Sequence, residues 1–135
     1  DKRDLPFEVL VAGCGTGRQA IAAAARFPKG KITAIDLSRA SIAYGMRKAR
    51  ECGLAERIRF VHADILSMKD WDGTFDMIEC SGVLHHMEDP FEGWRILTEK
   101  LRPNGAIKIG LYSDIARQPV AKARAFVAEK GYPAT

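Results

Sequence analysis

Short runs of β-branched and aliphatic residues alternate along this chain with longer stretches whose apolar positions recur every three or four residues. The short runs Glu8 to Ala12, Lys31 to Ile35, Arg57 to His62, Phe75 to Cys80 and Ala106 to Leu111 read as strands. Gly17 to Phe27 reads as a helix with Ala20, Ile21, Ala24 and Ala25 on one face, broken by Pro28-Lys29-Gly30. Ser38 is placed to cap a second helix carrying Ile42, Met46 and Ala49, which Gly53 ends. Asp89 caps a third, with Pro90 at its first position and Glu92 three residues on. Phe91, Trp94, Leu97 and Leu101 form its apolar stripe, and Pro103-Asn104-Gly105 is a turn before the fifth strand. A last helix covers Ile115 to Lys130, ahead of a Gly131-Tyr132-Pro133 turn signal.

Nearly continuous apolar strands alternating with helices predict a parallel sheet covered on both faces. Right-handed crossovers turn that pattern into a doubly wound, Rossmann-like three-layer αβα fold with a mainly parallel sheet. Ligands of such sheets sit beyond the carboxyl ends of the strands, where the strand order reverses.

Composition narrows the class. The chain has 135 residues, the size of one domain, and 47% of them are apolar, enough for a core. Charged residues make up 28%, which excludes a disordered chain. The net charge of +4 is mild, and the one cluster, Arg47, Lys48 and Arg50, reads as a solvated helix face, so no nucleic-acid partner is expected. Cys14, Cys52 and Cys80 are odd in number and form no Cys-x-x-Cys pair, which suggests reduced thiols rather than zinc or disulfides. The longest apolar run, Ala20 to Ala25, is too short to span a bilayer, and no signal peptide is visible. These features predict a cytoplasmic protein without membrane partners. The chain starts at Asp1 without an initiator Met, so residues 1–135 are expected to be one domain truncated at both ends.

The chemistry concentrates at strand ends. The first strand runs into Ala12-Gly13-Cys14-Gly15-Thr16-Gly17, which opens a helix. Glycines allow a tight turn and close approach of a ligand, and the helix N-terminus attracts an anion. A dinucleotide fingerprint needs Gly-x-Gly-x-x-Gly, and a Walker A loop needs Gly-Lys-Ser/Thr. Here the glycines are 13, 15 and 17, followed by Arg18-Gln19, so both patterns fail. That spacing argues against a third reading, a nicotinamide-dependent oxidoreductase. Asp36 ends the second strand, where a carboxylate accepts from both hydroxyls of a ribose, or else supplies negative charge to the following helix. Asp64 follows the third strand, as an acceptor for an adenine amine with Ile65 on the ring, or as a turn or cap residue.

Val9-Leu10-Val11-Ala12-Gly13-Cys14-Gly15-Thr16-Gly17 resembles motif I of class I S-adenosylmethionine-dependent methyltransferases. Ala34-Ile35-Asp36-Leu37-Ser38 and Ala63-Asp64-Ile65 resemble the next two cofactor motifs, and Ser81-Gly82-Val83-Leu84-His85-His86-Met87 the segment after the fourth strand. Leu101-Arg102-Pro103-Asn104-Gly105 resembles the turn before the fifth, with Asn for the first Gly of "LRPGG". The opening glycine stretch and the C-terminal helix are similar to methyltransferase domains of larger bacterial proteins, often beside tetratricopeptide repeats. The resemblance implies S-adenosyl-L-methionine as cofactor and S-adenosyl-L-homocysteine as product. Gly13, Gly15 and the neighbouring backbone of Ala12, Cys14 and Gly17 would cradle the methionine part. Asp36 and Leu37 would hold the ribose side, Asp64 and Ile65 the adenine, and Ser81 would pass the sulfonium. Two departures stand out: Val11 replaces a frequent acid, and two further strands of the family fold are missing.

Methyl transfer from a sulfonium is an in-line displacement with a good leaving group, so a general base is needed only for a protic nucleophile. His85 and His86, just past the fourth strand, are the candidates; the competing reading makes one structural and the other solvated. Two His without a third ligand suggest no metal. Tyr112 and Ser113 would line an acceptor pocket or merely enter the last helix. The expected function is methyl transfer to a small-molecule acceptor, the alternative a cofactor-binding module without catalysis inside a larger protein.

Overall fold

The computed structural model describes residues 7–131. Tyr132 and Pro133 of the C-terminal turn signal lie outside the described residues. Strands β1 (Glu8–Ala12), β2 (Lys31–Asp36), β3 (Ile58–His62), β4 (Phe75–Ser81) and β5 (Leu101–Gly110) form one sheet in the order β3-β2-β1-β4-β5. Every pairing is parallel. Helices α1 (Arg18–Arg26) and α2 (Arg39–Glu51) follow β1 and β2, α3 (Pro90–Glu99) precedes β5, and α4 (Asp114–Lys130) follows it. The α/β reading from the apolar runs therefore holds, and the strand bounds agree to within one residue for the first four. Order reverses between β1 and β4, and that point locates the site.

The sheet separates two apolar layers. Val9, Val11, Ile32 and Ala34 pack with Ala20, Ala23, Ala24 and Ala49 of α1 and α2. Leu10, Ile35, Ile78 and Cys80 pack on the other side with Ile96 and Leu97 of α3 and with Ile65 and Met68 of a 3₁₀ turn over Ile65–Asp70. Alternation along each strand sends successive side chains to opposite layers, which is why β1 is apolar from Val9 to Ala12. Buried Leu or Ile side chains each contribute about 1.5–3 kcal/mol, so these two layers carry the fold.

Caps follow their residues. Ser38 Oγ accepts from Ser41 N at 3.1 Å, and Asp89 Oδ1 accepts from Phe91 N at 2.9 Å and from Glu92 N at 3.3 Å. At the far end of α1, Arg57 donates from Nη1 to the Ala24 carbonyl at 2.8 Å and from Nη2 to the carbonyls of Phe27 and Gly30. One cation thus takes up the Ala24 carbonyl at the end of α1 and ties it to the turn that follows through Phe27 and Gly30.

Besides Ala25 of α1, which is exposed while Ala23 is buried in its place, three expectations are corrected. The buried face of α3 is Gly93, Ile96 and Leu97, whereas Phe91 is 77% exposed and Trp94 38%. A Cβ at Gly93 would lie 2.6 Å from Met87 Sδ, so α3 approaches its neighbours through its smallest residue and turns the aromatics outward. Met46 likewise faces solvent on α2, and Gly45 takes its place between Ile42 and Ala49. Third, β5 starts at Leu101, not Ala106. Phe75 pairs with Leu101 and Met77 with Ala106, so the Pro103-Asn104-Gly105 turn is a bulge inside the strand. Asn104 holds φ 65° there, a left-handed conformation that Asn tolerates.

The solvated-face reading of the basic cluster is matched by its surroundings. Arg47 and Lys48 both pair with Glu51, and both lie over the Tyr44 ring. No helix of the described residues is long and apolar enough to cross a membrane.

Gly17 joins the site loop to α2: its φ is +85°, and a Cβ there would lie 2.9 Å from Gly45 Cα. Gly17→Ala is expected to destabilise the protein by about 2–4 kcal/mol, from the left-handed backbone and the clash together. Gly73→Ala, with nothing within 4 Å of its Cβ position, is the neutral control. Urea denaturation compares them; equal midpoints would contradict the packing role.

Candidate functional site

The carboxyl ends of β1, β2 and β3 and the segment after β4 surround one cleft. Its walls are Gly13, Ile35, Asp36, Leu37, Ala63, Asp64, Ile65, Gly82, Val83, His86 and Met87, and its volume is about 200 Å³. A second hollow of about 460 Å³ opens from it, sharing Leu37, Asp64, Val83, His86 and Met87 and adding Leu66, Glu88, Asp89 and Glu92.

The glycine loop is sewn to the end of β2. Gly13 N and Cys14 N both donate to the Ile35 carbonyl at 2.9 Å. Gly15 N donates to Asp36 Oδ2 at 2.7 Å, and Ser38 N donates to Asp36 Oδ1 at 2.8 Å. Asp36 therefore ties the loop to the start of α2, combining the helix-charge reading with a position on the cleft. Each of its oxygens has a second lone pair, so the carboxylate can still accept from a ligand. Gly15, at φ +52°, has nothing within 4 Å of where a Cβ would stand, which leaves open space over the loop. Helix α1 begins without a side-chain cap and without an acidic residue in its first turn. Its free N–H groups are suited to an anion.

Asp64 caps the following 3₁₀ turn, accepting through Oδ1 from Leu66 N at 2.9 Å, while also lining the cleft. The cap reading and the cleft position coexist in one side chain. Leu37 is 66% exposed at the cleft rim, and its carbonyl is 2.9 Å from His62 Nε2. Ile65 is buried behind it.

The remaining candidates lie apart from the cleft walls. Ala12 and Cys14 are buried in opposite core layers. Gly17 packs on α2, as described. Ser81 turns its hydroxyl toward β5, where Oγ would stand 2.8 Å from a Cβ at Gly110. Sequence reasoning missed Val83, which lies on Gly13 and narrows the cleft there. Its signal was Gly82, whose φ of +77° turns the chain back over the loop.

The two histidines separate. His86 is exposed and lines both hollows. His85 lies behind it, with ring centroids 4.2 Å apart, and is covered on another side by Tyr112 at 3.9 Å. Tyr112 comes to the site from beyond β5; Ser113 caps α4, accepting from Ala116 N at 3.3 Å.

Comparison with known proteins agrees with this geometry. Residues 9–105 match the family described as methyltransferase domain. A release factor glutamine methyltransferase of Chlorobaculum tepidum is 37% identical over 105 residues, covering 76% of this chain and 34% of that protein. A methyltransferase from Geobacter sulfurreducens, solved with S-adenosyl-L-homocysteine, aligns at TM-score 0.69 and 25% identity, over 95% of this chain and 57% of that one. The [4+2]-cyclase SpnF aligns at TM-score 0.71 and 31% identity, over 78% of this chain and 39% of that one. The chain spans about a third of the length of the curated relatives it matches.

The thiols supply a test of the loop's burial. Desolvation, with the Asp36 charge adding to it, pushes the Cys14 thiol up to about 11, and burial pushes Cys80 up to about 11. At pH 8 only about one part in a thousand of either is thiolate. Iodoacetamide is expected to label exposed Cys52 alone in the folded protein and all three in denaturant. Rapid labelling of Cys14 in the folded state, read by peptide mass spectrometry, would contradict the burial of the loop.

Proposed function

This chain belongs to the methyltransferase-domain family of class I S-adenosylmethionine-dependent methyltransferases, and from that premise we propose that it transfers a methyl group from S-adenosylmethionine to a small-molecule acceptor. The observation that carries the reading is the meeting of Gly13, Asp36 and Asp64 on one cleft at the point where strand order reverses.

The residues fit that cofactor. Backbone N–H groups at the start of α1 would receive the amino-acid carboxylate, and the open space over Gly15 would admit its chain. Asp36, already fixed by Gly15 N and Ser38 N, would accept from the ribose hydroxyls. Leu37 and Ile65 would hold the adenine between apolar surfaces, which accounts for a leucine left two-thirds bare at 66% exposure. Asp64 would accept from the exocyclic amine while Oδ1 keeps its cap. Ala12, Cys14 and Gly17 would serve through the shape of the loop. Ser81 would serve through its position at the end of β4, beside the reacting region.

The cofactor supplies an electrophilic methyl on a sulfonium whose departure needs no acid. The protein's share is therefore to align the acceptor, exclude water and take up a proton where the acceptor carries one. His85 and His86 are the bases nearest the end of β4. The second hollow, about 460 Å³, has the size of a small-molecule site.

The second reading is a cofactor-binding module without catalysis; that a similar structure is a [4+2]-cyclase shows only that this fold is not confined to methyl transfer. Product formation over an acceptor panel, beside binding measurements, separates the two. Binding without any methylated product would favour the second reading.

Calorimetry with S-adenosylhomocysteine tests the cofactor assignment. Asp36→Ala is expected to weaken binding by about 1–3 kcal/mol, the cost of a charge-assisted hydrogen bond. Asp64→Asn can keep the cap through its oxygen and present its NH₂ to the base. It is then expected to shift preference from the adenosyl ligand toward its inosyl analogue. An unchanged preference would remove Asp64 from the adenine.

A further inference from the structure

Both ring nitrogens of His85 are buried without a hydrogen-bond partner among the described residues. The ring as a whole is half-buried, but nitrogens shut off from solvent without a hydrogen bond are costly and few, and each calls for an explanation. The covering groups form a stack. Tyr112 lies on His85 with centroids 3.9 Å apart and planes inclined by 36°, and the Arg117 guanidinium lies 4.2 Å from the Tyr112 centroid. His85 also meets His86 at 4.2 Å, His86 stands edge-on to Tyr112 at 6.1 Å, and His86 lines the cleft. Tyr112 itself is 53% exposed, so its contacts to His85 and Arg117 are made at the surface, with no buried neighbour among the described residues wedging it in place.

We propose that Tyr112, pinned by Arg117, is a movable cover that keeps the His85 ring nitrogens out of reach until an acceptor bearing a hydroxyl or ammonium group displaces it. The inference rests on the methyl-transfer reading and deepens it, because it names the acceptor as a protic nucleophile. Its proton passes to a ring nitrogen of His85. The O–H or N–H bond breaks, its electron pair stays on the nucleophile, and His85 becomes an imidazolium. Tyr112 and Arg117 touch none of the reacting atoms in this scheme and are positioning residues.

The charges around His85 agree with that role. Among the described residues, the titratable and charged groups that face it are His86 on its own turn, Tyr112 beyond β5 and Arg117 on α4. Burial first, then His86 and Arg117, hold the imidazole below its ordinary range. A depressed histidine is neutral at pH 7 and becomes charged only as the pH falls through that lower value. The base is thus ready for a proton at working pH, and removing Arg117 raises the pH at which it charges. The second hollow presents Glu88, Asp89 and Glu92, a lining compatible with an ammonium as well as a hydroxyl.

Diethyl pyrocarbonate, which acylates uncharged imidazole, tests the cover residue by residue with peptide mass spectrometry. His85 is expected to react at least about tenfold more slowly than His86, because its nitrogens are reached only through local opening. Tyr112→Ala should bring His85 to the rate of His86, and Tyr112→Phe should restore the protection. Arg117→Gln should raise the midpoint of the His85 rate–pH profile and speed labelling, and Arg117→Lys should preserve both. The Arg117 charge alone accounts for the shift of that midpoint, so the labelling speeds of the Tyr112 and Arg117 variants are what report the cover. Equal rates for the two histidines in the wild type would overturn the proposal. So would slow His85 labelling in Tyr112→Ala with an unchanged circular dichroism spectrum, or an Arg117→Gln midpoint that does not move. Calorimetry with S-adenosylhomocysteine on the wild type runs alongside. Loss of that binding would defeat the cofactor reading while leaving the labelling result legible.

Discussion

The Asp36 carboxylate is the constraint on which the site depends. It accepts from Gly15 N at 2.7 Å and from Ser38 N at 2.8 Å, so a single side chain fixes the glycine loop and the entry to α2. The Ile35 carbonyl, one residue earlier, holds Gly13 N and Cys14 N. Three consecutive backbone amides of the loop and one beyond it are thereby anchored to two residues of β2. Hydrogen bonds to a charged acceptor are roughly twice as strong as neutral ones, and here they act on a loop built of conformationally loose residues. The loop is shaped before a ligand arrives, which lowers the ordering cost of binding.

The same economy explains why one layer of glycines does two jobs. Gly15 faces open space, and Gly17, two residues on, is pressed against Gly45 of α2. The loop can present its backbone to a ligand only because its other end is clamped into the helix layer. Asp64 repeats the logic at β3, where Oδ1 caps a 3₁₀ turn and the residue still borders the cleft. The alternatives posed for these two acids, structural or ligand-binding, are therefore not exclusive.

Legibility followed sequence distance. Strands, caps and the glycine loop are encoded in a few adjacent residues, and β1, β2, Ser38 and Asp89 were all readable from them. The Asn104 turn was seen, but its inclusion in β5 was not, because the pairing of Leu101 with Phe75 is a relation between distant segments. The faces of α2 and α3 misled for a related reason. Apolar periodicity gives weight to Met46, Phe91 and Trp94, whereas Gly45 and Gly93 mark where partners press closest. Val83 over Gly13 and Arg117 over Tyr112 over His85 join segments far apart in the chain, and no local pattern announces them.

That division has a functional logic. The cleft beside Asp36 is made of strand ends and amides held by short bonds, so its shape is as rigid as the sheet. The far side is made of a turn, a half-exposed tyrosine and a helix, α4, whose Ile115 is 79% exposed and whose Phe126 is 54%. Few buried contacts mean low local stability, and segments of that kind are the ones free to move. A common nucleoside cofactor rewards a rigid cradle, whereas an acceptor must enter, shed water and leave changed. The unpartnered nitrogens of His85 lie where those two regimes meet. They are held in place by the turn after β4 and screened by Tyr112, a side chain more than half exposed.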